Sequence, residues 1–280
     1  MIVYLNNEFL QLEKAKISPF DRGFLFADGV YESIRTYNGK LFKYEDHLNR
    51  LRRSLNEIRL FFNETEKIEK IIYELIKKNN IEAEALIYLQ ITRGISFPRI
   101  HGFQKDDVNP TVFISAASFD VNNREQNEGI KVSLQDDIRW QRCDIKSVSL
   151  LPIVLANQNA IDAGGMEAIL IREGVITEGS HTNFFAIKDE TVFTAPESNL
   201  ILSGITRIIV LELCNQLEIE VKEEFIKKDE LKTFTEFFIT STTKEITPVI
   251  NVNDWIVGNG KPGELTLKLK KAFDYLVENY

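Results

Sequence analysis

Residues 30–44 read VYESIRTYNGKLFKY, two strand-like runs on either side of Asn38-Gly39. Asn-Gly readily takes the two positive φ values of a tight turn, so this stretch predicts a β-hairpin. Ile2 to Ile17 predicts another, turning at Asn6-Asn7. From Asp46 onward Leu48, Leu51, Leu55 and Ile58 recur at three- and four-residue spacing, with Arg50, Arg52 and Arg53 between them. That is the period of an amphipathic helix. A second helix is expected over Glu64 to Lys78, and strands over Ala85 to Thr92 and Thr111 to Ala117. Between those strands Arg93 to Pro110 is a polar loop containing Gly and Pro. Loops of that length in compact domains are usually functional or disordered.

The stretch SFDVNNREQNEG, from Ser118 to Gly129, is polar and without period. Residues 118–128 are therefore expected to link an N-terminal domain, 1–117, to a larger C-terminal one, 129–280. In the second, strands are expected at Ile130–Leu134, Glu167–Arg172, Thr182–Ile187, Thr191–Thr194, Glu218–Lys222 and Glu236–Thr240. Helices fit Pro152–Ala163, closed by Gly164-Gly165, Thr206–Gln216, and Pro262 to the C-terminus. Helices mixed with several hairpins predict a two-domain α+β architecture and not a doubly wound sheet.

The 280 residues are enough for about two cores at roughly 150 residues each. Lys and Arg number 34 against 42 Asp and Glu, a net charge of −8 that argues against binding phosphate backbones. The start, MIVYLNNEFLQLEKAK, lacks the cationic-then-apolar pattern of a secretory leader, and no run approaches the length of a membrane span. A cytoplasmic protein is expected. Cys143 and Cys214 are too few for a disulfide framework, and His47, His101 and His181 lack metal-ligand spacing, so no metal is expected.

Several short motifs have two readings each. Gly258, Gly260 and Gly263 spell a GxGxxG, but the chain ends at Tyr280 without room for the strand a dinucleotide fold requires. A turn before the last helix is the simpler reading. Lys146 could be a solvated charge; yet the small and apolar run SVSLLPIVLA at 147–156 would place its amine in partly dry surroundings, where an amine becomes a nucleophile or base. Glu178, beside Gly179 at the start of an apolar strand, could be a solvated turn residue. Ser203-Gly204-Ile205-Thr206 opens a helix and Thr240 to Glu245 closes a strand with hydroxyls. Each could cap or turn the backbone, and each could offer N–H and hydroxyl donors to a phosphate. Arg50 and the Arg99-Ile100-His101 triplet could be plain surface cations.

Taken together, six ordered segments carry a resemblance: DRGFLFADGVYESIRTYNG (21–39), HLNRL (47–51), DIKS (144–147), ITEGSHTNFF (176–185), LSGITR (202–207) and TSTTKEITPV (240–249). The sequence resembles the fold-type IV, or class IV, pyridoxal-phosphate-dependent aminotransferases over essentially its whole length, and within them the D-amino acid aminotransferases through Tyr31, Arg99-x-His101 and IKSVSLLPIVLANQNA. The resemblance implies a PLP enzyme that exchanges an amino group between an amino acid, such as D-alanine, and a 2-oxo acid, such as 2-oxoglutarate. It implies that Lys146 is the Schiff-base lysine and carries the Cα proton, and that Glu178 keeps the pyridine nitrogen protonated. Arg50, the Ile205 and Thr206 amides, Ser241 and Thr242 would hold the phosphate, and Tyr31 would line the pocket beside the lysine. Arg99 and His101 would take the substrate carboxylate by reaching from one subunit of a homodimer into the other's site.

Three features depart from that pattern. Phe97 is an extra residue in the loop before Arg99, His181 replaces a small side chain next to the pocket, and Ile34-Arg35-Thr36-Tyr37 is closer to branched-chain aminotransferases. A branched-chain L-amino acid aminotransferase is therefore an alternative. A second is the aminodeoxychorismate lyase type, which eliminates pyruvate on the same scaffold.

Overall fold

A computed structural model describes residues 1–82, 84–103, 109–120 and 123–280, in two compact units. Residues 104–108 of the expected long loop and residues 121 and 122 of the expected linker lie outside the described residues. The first unit comprises residues 1–120 with 145–149 and Tyr280; the second, residues 121–144 with 150–279.

In the first unit β1 (Ile2–Leu5), β2 (Glu8–Gln11), β3 (Gly29–Tyr37), β4 (Lys40–Leu41), β5 (Ala85–Thr92) and β6 (Thr111–Ser118) form an antiparallel sheet in the order β2-β1-β6-β5-β3-β4. Both expected turns are made by the expected residues. Asn6 and Asn7 take φ of 47° and 74°, and Asn38 and Gly39 take 51° and 75°. The second hairpin is shorter than expected, because the chain leaves β4 after two residues and enters a helix at Tyr44. The helices are α1 (Arg22–Phe26), α2 (Tyr44–Glu57) and α3 (Ile68–Lys78). Ile72 and Leu75 of α3 pack fully buried in the same core as Ile87 and Ile114 of the sheet. Full burial of each such side chain is worth roughly 1.5–3 kcal/mol.

Helix α2 carries two buried rows. Tyr44, Leu48, Leu51 and Leu55 form the apolar one, and His47, Arg50 and Ser54, again at three- and four-residue spacing, form a polar one beside it. Segment 145–149, which follows the expected linker by many residues, packs with this unit: Tyr31 N donates to Lys146 O (3.0 Å), Val148 N to Gly29 O (3.1 Å), and Lys146 N to Ser54 Oγ (3.3 Å).

In the second unit the described part of the expected linker contains a short helix, α4 (Asn123–Glu128). It is followed by β7 (Ile130–Asp136), α5 (Leu151–Asp162), β8 (Glu167–Arg172), β9 (Val175–Gly179), β10 (Asn183–Lys188) and β11 (Thr191–Thr194). Then come α6 (Ile205–Gln216), β12 (Val221–Glu223), β13 (Glu236–Ser241), β14 (Glu245–Val252), β15 (Trp255–Ile256) and α7 (Glu264–Glu278). The mixed sheet runs β12-β11-β10-β13-β14-β7-β8-β9, with β15 on β14. Phe185 of β10 stacks on Phe238 of β13 at 4.6 Å, at the position where their backbones pair. The glycines at 258–263 form the turn that precedes α7.

Among the described residues no helix is long and apolar enough to cross a membrane, and no cluster of His, Cys, Asp and Glu is arranged to hold a metal.

Candidate active site

The expected site residues divide between the units. Tyr31, Arg50, Arg99, His101 and Lys146 are in the first; Glu178, His181, Ile205, Thr206, Ser241 and Thr242 are in the second.

In the first unit the Lys146 amine lies 4.4 Å from the centre of the Tyr31 ring, an arrangement that orients a cation without neutralising it. Tyr31 in turn packs against Tyr88 at 5.8 Å, and the Tyr88 hydroxyl donates to Gln90 Oε1 (2.6 Å). The apolar run after Lys146 does something other than expected. From Leu151 it forms α5 in the other unit, with Leu151 and Val154 exposed, and within its own unit the lysine amine has the Tyr31 face beside it.

Arg50 is buried, as a residue on the inner polar row of α2 must be, and its Nε and Nη2 donate to the two oxygens of Glu32 on β3, both at 2.8 Å. His47 Nδ1 lies 2.8 Å from Glu32 Oε2. Burial acts to raise the Glu32 carboxyl, but the Arg50 charge and the hydrogen bonds from Arg50 and His47 outweigh it and hold Glu32 well below the usual carboxylate range. His47 is likewise held below its ordinary value, mainly by burial.

Glu32→Gln should destabilise the protein by about 3 kcal/mol at neutral pH, because it leaves the Arg50 charge buried without a counter-charge. Since Glu32 is depressed in the folded state, its contribution is complete above its ordinary value of 4.5 and is lost as pH falls below it. Urea denaturation of both proteins at pH 7 and pH 3 checks this: the difference should shrink at the lower pH.

Arg99 and His101 are exposed and share one aromatic neighbour, Phe26 of α1. The Arg99 guanidinium lies 4.4 Å from the Phe26 ring centre and the His101 ring 5.3 Å from it.

In the second unit Glu178, at the end of β9, is gripped by three donors. Arg139 Nη1 donates to Oε1, while Asn183 Nδ2 and the Leu202 amide donate to Oε2, each at 3.0 Å. Burial pushes the Glu178 carboxyl up to about 6 in spite of Arg139. Arg139 is itself held by both oxygens of Asp137 at 2.9 Å. Asn183 also donates to Leu202 O (2.9 Å), which ties Glu178 to the loop that opens α6. That loop passes close: a Cβ on Gly204 would lie 2.1 Å from Asn183 Oδ1, so a larger residue there would displace the Asn183 side chain that holds Glu178.

No side chain caps the first turn of α6, where the Ile205 and Thr206 amides point outward from the helix start. At the end of β13, Thr240 pairs with Asn183, which brings the Ser241–Thr243 turn to the same end of the sheet as Glu178. Lys244 N donates to Ser241 Oγ (3.1 Å), and Gln126 of α4 donates to Glu245 Oε2 (2.8 Å), so the hydroxyl turn is braced from behind. Thr240 Oγ1 is buried without a hydrogen-bond partner among the described residues.

His181 Nδ1 lies 3.0 Å from Ser180 Oγ and 3.1 Å from Glu167 Oε2, so its ring is directed by a fully buried carboxylate on β8. Four supporting residues were not singled out from the sequence: Glu32, Arg139, Asn183 and Glu167. For Glu32 a signal existed, since a buried polar row on α2 needs an opposite charge on the strand it faces.

The family described as amino-transferase class IV matches residues 29–252. The chain is 41% identical over 278 residues to a D-alanine aminotransferase of Staphylococcus haemolyticus, covering 99% of this chain and 98% of that one. It is 41% identical over 279 residues to a D-alanine aminotransferase of Staphylococcus aureus strain COL, with the same coverage. Among solved structures, the branched-chain amino acid aminotransferase of Escherichia coli superposes with a TM-score of 0.90 at 26% identity, covering 99% of this chain and 95% of that one.

Proposed function

We propose, from the fact that the chain belongs to the class IV aminotransferase family, that it transfers the amino group of a D-amino acid such as D-alanine to a 2-oxo acid such as 2-oxoglutarate, with pyridoxal phosphate held at Lys146. The reading is carried by full-length likeness to D-alanine aminotransferases at 41% identity, against 26% for the branched-chain enzyme. The paired Arg99 and His101 on one aromatic face suit an α-carboxylate.

The donor sets fit the cofactor. A primary amine answers to an aldehyde, a triply anchored carboxylate to a ring nitrogen, and an uncapped helix start with a hydroxyl turn to a phosphate. Pyridoxal phosphate, when bound, supplies an electron-withdrawing ring that stabilises negative charge at the substrate Cα. The chain's own groups do the rest. Lys146 removes and returns the Cα proton, and Tyr31 fixes the position of its amine. Glu178 holds a proton on the ring nitrogen; a cation brought against it lowers its pKa from about 6 and keeps it ionised. On this reading the Ile205 and Thr206 amides, Ser241 and Thr242 would take the phosphate, and Arg50 would be a further donor to it. Arg99 and His101 bind the carboxylate and so decide which face of Cα meets the lysine.

A second copy of the chain would complete the site. Phe24 of α1 and Phe97, two residues before Arg99, are each 70% exposed, apolar surface suited to cover by a partner. Arg99→Ala should raise KM for D-alanine and lower kcat/KM by about 2–3 kcal/mol, with cofactor affinity unchanged. Mixing Arg99→Ala with Lys146→Ala subunits should restore part of the activity, since one site of the mixed dimer would be intact.

The reaction is tested by supplying the holoenzyme with 2-oxoglutarate and either D-alanine or L-leucine. Pyruvate from D-alanine at the higher kcat/KM supports the proposal. A preference for L-leucine would assign the chain to the branched-chain reading that the structural likeness also allows.

A further inference from the structure

We infer that Arg22 and Phe26, at the two ends of α1, are the positioning residues that aim Arg99 and His101, so that α1 sets the affinity for substrate. This rests on the reading in which Arg99 and His101 take the carboxylate. The two residues are four apart and share a face of the helix. They hold the loop at two levels.

Arg22 holds its backbone. The side chain is almost fully buried, and its Nη1 donates to Ile100 O (2.8 Å) and Gly102 O (3.3 Å) while Nη2 donates to His101 O (3.1 Å). One planar guanidinium thus grips three consecutive carbonyls of a segment without regular secondary structure, with charge-assisted bonds whose directions are fixed by the fork. Its remaining Nε donates to Asp28 Oδ2 (2.8 Å), which sets the roll of the fork.

Phe26 holds the side chains. Its face carries the Arg99 guanidinium at 4.4 Å and meets the His101 ring at 5.3 Å. Among the described residues neither Arg99 nor His101 has an ion pair. That choice of neighbour matters: a carboxylate beside Arg99 would orient it but compete with the substrate, whereas an aromatic face orients the cation and leaves its charge available.

The test uses the holoenzyme and six variants. Phe26→Leu keeps an apolar side chain of similar reach but removes the ring face, and Phe26→Tyr restores it. Arg22→Lys keeps a charge for Asp28, which Arg93 also holds (2.8 and 3.0 Å), so the fold is protected. It cannot span three carbonyls. Phe26→Leu and Arg22→Lys should each raise KM for D-alanine and for 2-oxoglutarate about tenfold, with kcat within about threefold and the cofactor's absorbance unchanged. Phe26→Tyr should return KM to within about twofold of the parent. In an Arg99→Ala/His101→Ala background, Phe26→Leu should add less than about twofold, because nothing is left to aim.

If Arg99→Ala raises KM while Phe26→Leu and Arg22→Lys do not, the inference is overturned and the carboxylate reading stands. A full tenfold loss that persists in the double-alanine background overturns it as well, since the role is then plain support. If Arg99→Ala leaves KM unchanged, the carboxylate reading fails and takes the inference with it.

Discussion

Lys146→Ala is expected to lower kcat by about ten-thousand-fold, equivalent to about 5.5 kcal/mol of barrier. The size follows from what the side chain does and does not touch. The backbone around it is held independently of it, through Tyr31 N to Lys146 O (3.0 Å) and Val148 N to Gly29 O (3.1 Å). The amine itself rests over the Tyr31 ring, so truncation removes no structural bond from the described network. On the proposed reading, what is lost is the base at Cα and the covalent anchor for the cofactor. Denaturation midpoints within a few degrees of the parent, together with the loss of turnover, would place the effect in the chemistry. Small primary amines added in solution should return a fraction of the rate, because they replace the proton carrier without its positioning.

Glu178→Gln should be the next most damaging change, with kcat down about a thousandfold, or about 4 kcal/mol, and cofactor affinity changed by less than about tenfold. A neutral amide cannot hold a proton on the ring nitrogen. It also disturbs the cradle, since an amide NH2 must now face Arg139 on one side or the Asn183 and Leu202 donors on the other. Separating the two effects requires a cofactor titration alongside the steady-state rates. Near-normal turnover in the glutamine variant would remove Glu178 from the account of the electronics.

Much of the fold was legible locally. Asn6-Asn7 and Asn38-Gly39 announce their hairpins because few residues adopt positive φ at low cost, and all four take it. The leucine row of α2 announces the helix. Three strands were missed, β9, β14 and the two-residue β15, the first two for identifiable reasons. β14 contains Pro248 and has an irregular register against β7 near Val249, so no alternation survives in the sequence. β9, Val175–Gly179, ends in Glu-Gly and reads as a turn because the strand donates its last residues to the site.

The candidate site residues were recognisable as motifs, but their supports were not. Arg139 sits two residues after Asp137 in a stretch that reads as an ordinary strand end, and only the fold brings it to Glu178. Arg50 likewise reads as a free cation until β3 places Glu32 against it. The same limit applies to Lys146. Its local sequence points to an apolar setting, whereas the structure gives it an aromatic face contributed by a residue more than a hundred positions earlier.

On the proposed reading Lys146 is the residue that carries the cofactor. Reduction of the pyridoxal-phosphate-loaded protein with borohydride, followed by peptide mass mapping, tests it directly, because hydride converts a labile imine into a stable secondary amine. A single cofactor adduct is expected on the peptide containing Lys146, and none on that peptide in Lys146→Ala. An adduct on another lysine, or a protein that takes up no cofactor, would contradict it.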